Sequence, residues 1–527
     1  MQYIRAVIVH PAEMSVEAQL NLHGVQQLIE QEGLPFIVCP AGELSSAGLR
    51  AGDVLVVAEL GCLTPEEEGA VVEAARALPL IWVGVPREQA TPELMALLGI
   101  RQMTAALPYP LVTELVLGEH AVTAAFDQPW ERHLRAKHAP YIGEGSVVEG
   151  ERAIDMRLLD GAPFAQALML RDESPRRAVW CLALGSLFAV ATCRHIEMRR
   201  DAEWLDWPIM AYLDVLRGVL RECLRWCAPD ASLVRKYYWP IVEGARPTGA
   251  CVTSHDLCGY SEEGVRFICE TCERLNSPTV FFDMPPIRLD AGEVGEQDIA
   301  LHIGGGASFE EVLAGKQALE ERHGRPIIGW RRHGRTEIEH YPHIWRHVER
   351  AGILWSDSFP CHSHPNLATC SPCGTGNRLP FDIMDLETGR RMKLLNLQIF
   401  DSQDPDRLSA VGYGMRLDWE GFRKVVEGRL DHAAKHHLIA GYLLHGWTAG
   451  ATEEVGRFHG ALDCQRMLPH IIEQARARGM LMMGGDELYR WWTFRRATEI
   501  DLTGPEPVAI TPGDEFGLQV DVLEALR

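Results

Sequence analysis

The sequence predicts an α/β protein: a parallel-sheet domain, then a second unit of strand–helix repeats wound into a closed or nearly closed barrel. Two patterns and one bound carry that expectation. Apolar runs of strand length alternate with amphipathic helical patterns through the first hundred residues, and the alternation resumes from about 248 to 495. A chain of 527 residues is also longer than a single hydrophobic core sustains.

The first strands are expected at 5–10, 35–40, 53–58 and 80–85, with helices at 16–31 and 64–77 between them. The second helix opens Thr64-Pro65-Glu66-Glu67, a capping box with proline at the first helical position. Strand-like runs at 178–184 and 187–192 close a β-rich stretch, and a helix is expected from 209 to about 227. Further strands are expected at 249–254, 279–282, 299–302, 326–330, 352–355, 394–400, 440–444 and 480–483. Helices are expected at 261–275, 308–322 (opening on the capping box Ser308–Glu311), 340–350, 419–436 and 461–478. The expected division is 1–200, 201–500 and a C-terminal appendage 501–527. In parallel barrels, chemistry gathers at the C-terminal strand ends.

Composition narrows the function classes. Hydrophobic residues make up 46% and charged residues 24%, an ordinary globular balance. A formal net charge of -22 argues against a nucleic-acid partner, whose phosphates would repel the surface. No uninterrupted apolar run is long enough for a membrane span, and the N-terminus reads as a strand rather than a signal peptide. The 14 cysteines are scattered rather than framing a small domain, so reduced thiols and a cytoplasmic location are expected.

Polar residues crowd the expected strand ends: Ser254-His255-Asp256, His302, Trp330-Arg331-Arg332-His333, Asp357, Asp401 and His445. Their order resembles the motifs of the NodB-type polysaccharide deacetylase (carbohydrate esterase 4-like) family. "CVTSHD" resembles the first motif, which supplies a base Asp and a metal-binding Asp. "IALHIGGG" resembles the second, "GWRRHG" the third with its base-orienting Arg, "GILWSDSF" the fourth, and "GYLLHGW" the fifth with its acid His. "GDELYRWWTFRR" resembles the terminal helix, so that the likeness covers about residues 205–500.

The resemblance implies a (β/α)7-8 deacetylase-like barrel and a divalent cation, zinc by preference. Asp256 and His302 would hold the metal, with His333 either replacing the missing second His ligand or hydrogen-bonding within its loop, and Asp256, His255, Arg331 and His445 would serve catalysis. Trp330, Asp357 and Trp447 would meet a small-molecule or oligosaccharide substrate. The reaction implied is hydrolytic removal of an acyl group from an amide or ester. Three positions depart from the pattern: His255 stands at an acidic position, Gly306 replaces the second His of the second motif, and His333 stands where the family has Pro. An alternative register takes Asp256 as base and Cys258 at the metal-binding Asp position; both registers are open at this point. So are two other readings: a non-catalytic binding or assembly module, and a metal-free glycosidase-like site using Asp357 and Asp401.

Residues 54–84 resemble the glutamine-amidotransferase-like, flavodoxin-like fold found as a trimerisation domain in some β-galactosidases, which implies a homo-oligomer. An amidotransferase nucleophile sits between glycines on a sharp strand-to-helix turn; Cys62 instead precedes the Thr64-Pro65 helix cap and is read as an ordinary residue. Cys370 and Cys373, with Cys269 and Cys272, have spacing compatible with a structural zinc. His432, His436 and His437 crowd a helix C-terminus, where cationic side chains suit the dipole, and are read as structural.

Overall fold

The computed structural model describes residues 2–104, 113–136, 141–143, 146–158, 160–191, 212–258, 260–333, 342–358, 377–399, 418–445, 464–524 and 526. The described chain is mixed α/β with two large sheets. The first sheet has a parallel half in which Tyr3–His10 is flanked by Asp53–Leu60 on one edge and by Phe36–Pro40 and Ser232–Lys236 on the other. Leu80–Val85 and Arg177–Trp180 extend it in parallel. Pro163–Arg171, Glu151–Arg157, Thr113–Leu117 and His133–Ala136 then continue the sheet antiparallel.

The strands are short runs rich in Val, Ile and Leu, buried on both faces, as a covered parallel sheet requires. Helix Val16–Glu32 starts where the Ser15 hydroxyl accepts from the Ala18 amide and ends at Gly33, in the left-handed region. The expected capping boxes at Thr64 and Ser308 both form.

The second sheet runs in the order Phe381–Met384, Arg391–Asn396, Trp355–Ser356, Gly329–His333, Asp298–Gly304, Val280–Asp283, Ala250–Asp256, Ile439–His445, with Leu481–Met482 also on Ala250–Asp256. All pairings but the first are parallel. The sheet curls so that its ends approach without pairing as strands. The Ile439 amide donates to the Arg378 carbonyl at 3.1 Å, and a Cβ on Gly441 would overlap the Ile399 carbonyl. The strand ends carrying Asp256, His302, Arg331 and His445 therefore open on one side of a curled sheet.

Three expectations need revision. The apolar run at 187–192 is expected as a strand, but its described part, 187–191, belongs to helix Leu184–Ala191. That helix crosses Val16–Glu32 at glycine: a Cβ on Gly24 would overlap the Gly185 carbonyl, and one on Gly185 the Asn21 carbonyl. Helix Tyr212–Cys227, expected in the second division, lies on the first sheet, as does strand Ser232–Lys236, which was not expected from the sequence. Strand Val520–Leu523, expected in an appendage, pairs antiparallel with Ser232–Lys236 and completes that sheet.

The two sheets meet through polar contacts as well as apolar packing. Gln27 exchanges hydrogen bonds with the Asp382 backbone, and Gln31 donates to the carbonyls of Leu379 and Pro380. A buried carboxylate, Glu32, accepts from Arg217 at 2.8 Å, Arg221 at 3.0 Å and the Tyr238 hydroxyl at 2.6 Å. Burial alone would raise the Glu32 pKa, but Arg221, Arg217 and Arg235 outweigh it and bring it down to about 2.

Candidate metal and acid–base site

Alternation along the strands decides which side chains face the inside of the curl. Ser254 and Asp256 share one face of their strand. Asp256 is in register with His445 on one neighbour and Phe282 on the other. Across the sheet His302 is in register with Arg331, and Gly304 with His333. These facing positions converge.

Arg331 organises the centre. Its guanidinium is 3% exposed and donates to Asp256 Oδ1 at 2.8 Å, to Ser254 Oγ at 2.8 Å and from Nε to Asp357 Oδ2 at 3.1 Å, with a further short contact to that oxygen. It also lies 3.8 Å over the Phe282 ring. Burial favours the neutral Asp256 carboxyl, but the charges of His302 and Arg331, with His445, outweigh it and hold Asp256 well below the usual carboxylate range.

Beside this pair, Cys258, His302 and His333 bring one ligand atom each within 4.8 Å of one another. The His302 and His333 rings stand edge-to-face at 5.0 Å. His302 Nδ1 lies 3.2 Å from the Arg331 carbonyl, which can only accept, so Nδ1 carries the proton. Nε2 is buried, lies 3.7 Å from Asp256 Oδ2 and is the nitrogen left to meet Cys258. Burial raises the Cys258 thiol pKa, but hydrogen bonds offered by His302, His333 and His445 outweigh it and bring it to about 4.

A thiolate and two imidazoles, one of them oriented by a backbone carbonyl behind it, form a donor set that fits zinc. The converging group holds Cys258 with His302 and His333 and does not include Asp256, whose Oδ1 is bonded to Arg331 while its Oδ2 lies 3.7 Å from His302 Nε2.

Other expected site residues are arranged differently. His255 alternates to the opposite face from Asp256, fully buried and tilted against Phe281 at 5.3 Å, so its ring lies in the core rather than in the site. Trp330 alternates away from Arg331 in the same manner and packs edge-on against Trp345 at 5.6 Å, with no surface for a substrate. Asp357 is fully buried under Arg331, which suits it to hold the guanidinium rather than to touch substrate. Trp447, Cys370, Cys373 and Asp401 lie outside the described residues.

Ser254 was not singled out from the sequence. Its signal was available, since it stands two before Asp256 and so on the same strand face. Cys62 precedes helix Pro65–Ala74, its amide on Glu59 and its sulfur 3.6 Å from the Leu60 carbonyl. A cavity of about 310 Å³ lies in the antiparallel half of the first sheet, lined in part by Arg152, Arg157, Phe164 and Gln166. It contains none of the residues above, and convergence of chemistry rather than cavity size marks the site.

No known family profile matches the sequence, and no curated protein matches it. Among solved structures, the chain is similar to a provisionally assigned polysaccharide deacetylase from Mycobacterium smegmatis: 16% identity, TM-score 0.34, covering 51% of this chain and 98% of that one. It is also similar to a provisionally assigned ThuA-like protein from Bacteroides uniformis, with 10% identity, TM-score 0.30, and coverage of 43% and 92%. An exo-β-1,4-mannosidase from an Opitutaceae bacterium gives 8% identity, TM-score 0.24, and coverage of 34% and 32%. Similarities this weak assign no activity. No described helix is long and apolar enough to cross a membrane.

Proposed function

We propose that this chain is a metal-dependent hydrolase that removes an acyl group from an amide or ester of a carbohydrate-like substrate. One observation supports the reading: Cys258, His302 and His333, side chains of types that can ligate a metal, converge near Asp256 and its strand neighbour His445 in the curled sheet. The substrate class rests on the motif resemblance alone.

Cys258, His302 and His333 would hold a zinc ion, which when bound lowers the pKa of water and polarises an acyl carbonyl. Asp256 accepts the proton of the attacking water. Arg331 keeps Asp256 ionised and fixed beside the water, at the cost of its basicity. His445, in register with Asp256, returns a proton to the leaving nitrogen or oxygen. Arg331 positions Asp256 and is held in turn by Ser254 and Asp357. The metal-free reading using Asp357 loses ground, since that carboxylate is buried under the guanidinium.

Acetate release from N-acetylated and O-acetylated oligosaccharides, measured with zinc-loaded protein, tests the proposal. Wild type is expected to release acetate, and Asp256→Asn to lose about 10²–10⁴-fold in rate while keeping its zinc. A zinc-replete wild type that releases nothing across both amides and esters would overturn the hydrolase reading in favour of a binding module.

A further inference from the structure

We propose a second metal site, independent of the first: Glu131, His432 and His436 bind a divalent cation of the zinc class and clip the first sheet to a helix of the curled sheet.

Glu131 lies in the short helical turn Pro129–Arg132, which leads directly into first-sheet strand His133–Ala136. It is fully buried. His432 lies in the last turn of helix Trp419–Lys435, which covers the second sheet, and His436 is its C-cap residue. Their spacing of four puts both imidazoles on one helix face, and the rings are 4.8 Å apart. Each of the three residues offers one ligand atom within 4.8 Å of the others, and His436 Nε2 is already 2.5 Å from Glu131 Oε1.

The surroundings resemble the outer shell of a metal centre more than a plain ion pair. The Gln128 amide donates to Glu131 Oε2 at 3.1 Å, which turns Oε1 toward the imidazoles. Phe126 stacks on His436 at 5.8 Å and screens that side with an apolar face. Lys435 is the competing cation, with its ammonium 3.1 Å from Glu131 Oε2. It has a second acceptor at 2.9 Å in Asp127, which is exposed, so it can stay charged and paired when Glu131 gives an oxygen to a metal.

Two imidazoles and one carboxylate suit zinc, with water completing the shell. The ligands come from positions about three hundred residues apart, and the loop a metal would close is correspondingly long. Burial and the join between two sheets point to a structural ion. A helix-end histidine cluster gives no such hint in the sequence, because the carboxylate that completes it is remote.

The test uses the full chain with the other site disabled by Cys258→Ser and His302→Ala. After equilibration in buffered zinc and removal of free metal, this protein is expected to keep about one zinc per chain and to unfold at a higher temperature with zinc than after chelation. Adding His432→Ala, or separately Glu131→Gln, should abolish both the retained zinc and the thermal shift. Glu131→Gln keeps the shape and a hydrogen bond, so a folded circular-dichroism spectrum for it separates lost metal from lost fold. A disabled-site protein that retains no zinc overturns the proposal, and so does zinc that persists equally in the Glu131→Gln and His432→Ala variants.

Discussion

Replacing Arg331 by Met removes one buried cation from two buried carboxylates. Asp256 and Asp357 are 7% and 0% exposed, and both accept hydrogen bonds from this guanidinium. Taking one partner from a buried ion pair leaves an uncompensated charge and costs about 3–5 kcal/mol; at pH 8, where both carboxyls would ionise, the loss should fall in that range. The pH dependence follows from linkage. In wild type, Asp256 has a depressed pKa, so its contribution is present above the unfolded carboxyl value of about 4 and fades as pH falls through the folded one. In Arg331→Met the same carboxyls have raised pKa values, so protonation relieves them as pH falls. The gap between the two proteins should therefore narrow from pH 8 to pH 5. Urea unfolding followed by tryptophan fluorescence reads it, because Trp330 and Trp355 flank the site on neighbouring strands. A gap equal at both pH values, or none at pH 8, would refute the electrostatic account of Arg331.

Two further outcomes are expected elsewhere. Asp486 is pushed up to about 7, first by burial and then by the charge of Asp298, whose own pKa is also raised. A raised carboxyl pKa stabilises below the unfolded value and is lost as pH rises through about 7. Asp486→Asn, which keeps an oxygen for the Trp355 indole, should thus raise the thermal midpoint at pH 8 but not at pH 5 in a calorimetric scan. Gly185→Ala forces a methyl against the Asn21 carbonyl at the helix crossing and should cost about 1–3 kcal/mol or more in urea unfolding.

The sequence carried the site unevenly, for a reason in strand geometry. The strand-end placement of Asp256, His302, Arg331, His333 and His445 was legible because short apolar strands end in polar residues, and parallel barrels gather chemistry at such ends. His255 and Trp330 were misread because each is one residue from an inward neighbour, and a period of two sends it to the other face. Cys258 stood open because it lies just past the strand end, where no pairing fixes the direction of a side chain.

For the fold, strands and helices with local signals were legible to within a few residues, as at Thr64 and Ser308. The helix Leu184–Ala191 was not, since an apolar run of that length fits either period and only its glycine crossing with Val16–Glu32 decides it. Strands Ser232–Lys236 and Val520–Leu523 return to the first sheet through pairings remote in sequence, which no local pattern encodes.

The proposed hydrolysis requires Cys258, His302 and His333 to hold one metal ion. Cobalt(II) substitution tests it most directly, because a thiolate bound to cobalt absorbs in the near ultraviolet by sulfur-to-metal charge transfer and an imidazole–carboxylate site does not. Wild-type protein loaded with cobalt is expected to show that band, and Cys258→Ser and His302→Ala to lose it while remaining folded. A cobalt-loaded wild type without the band, or a band unchanged in Cys258→Ser, would contradict the metal site on which the functional reading depends.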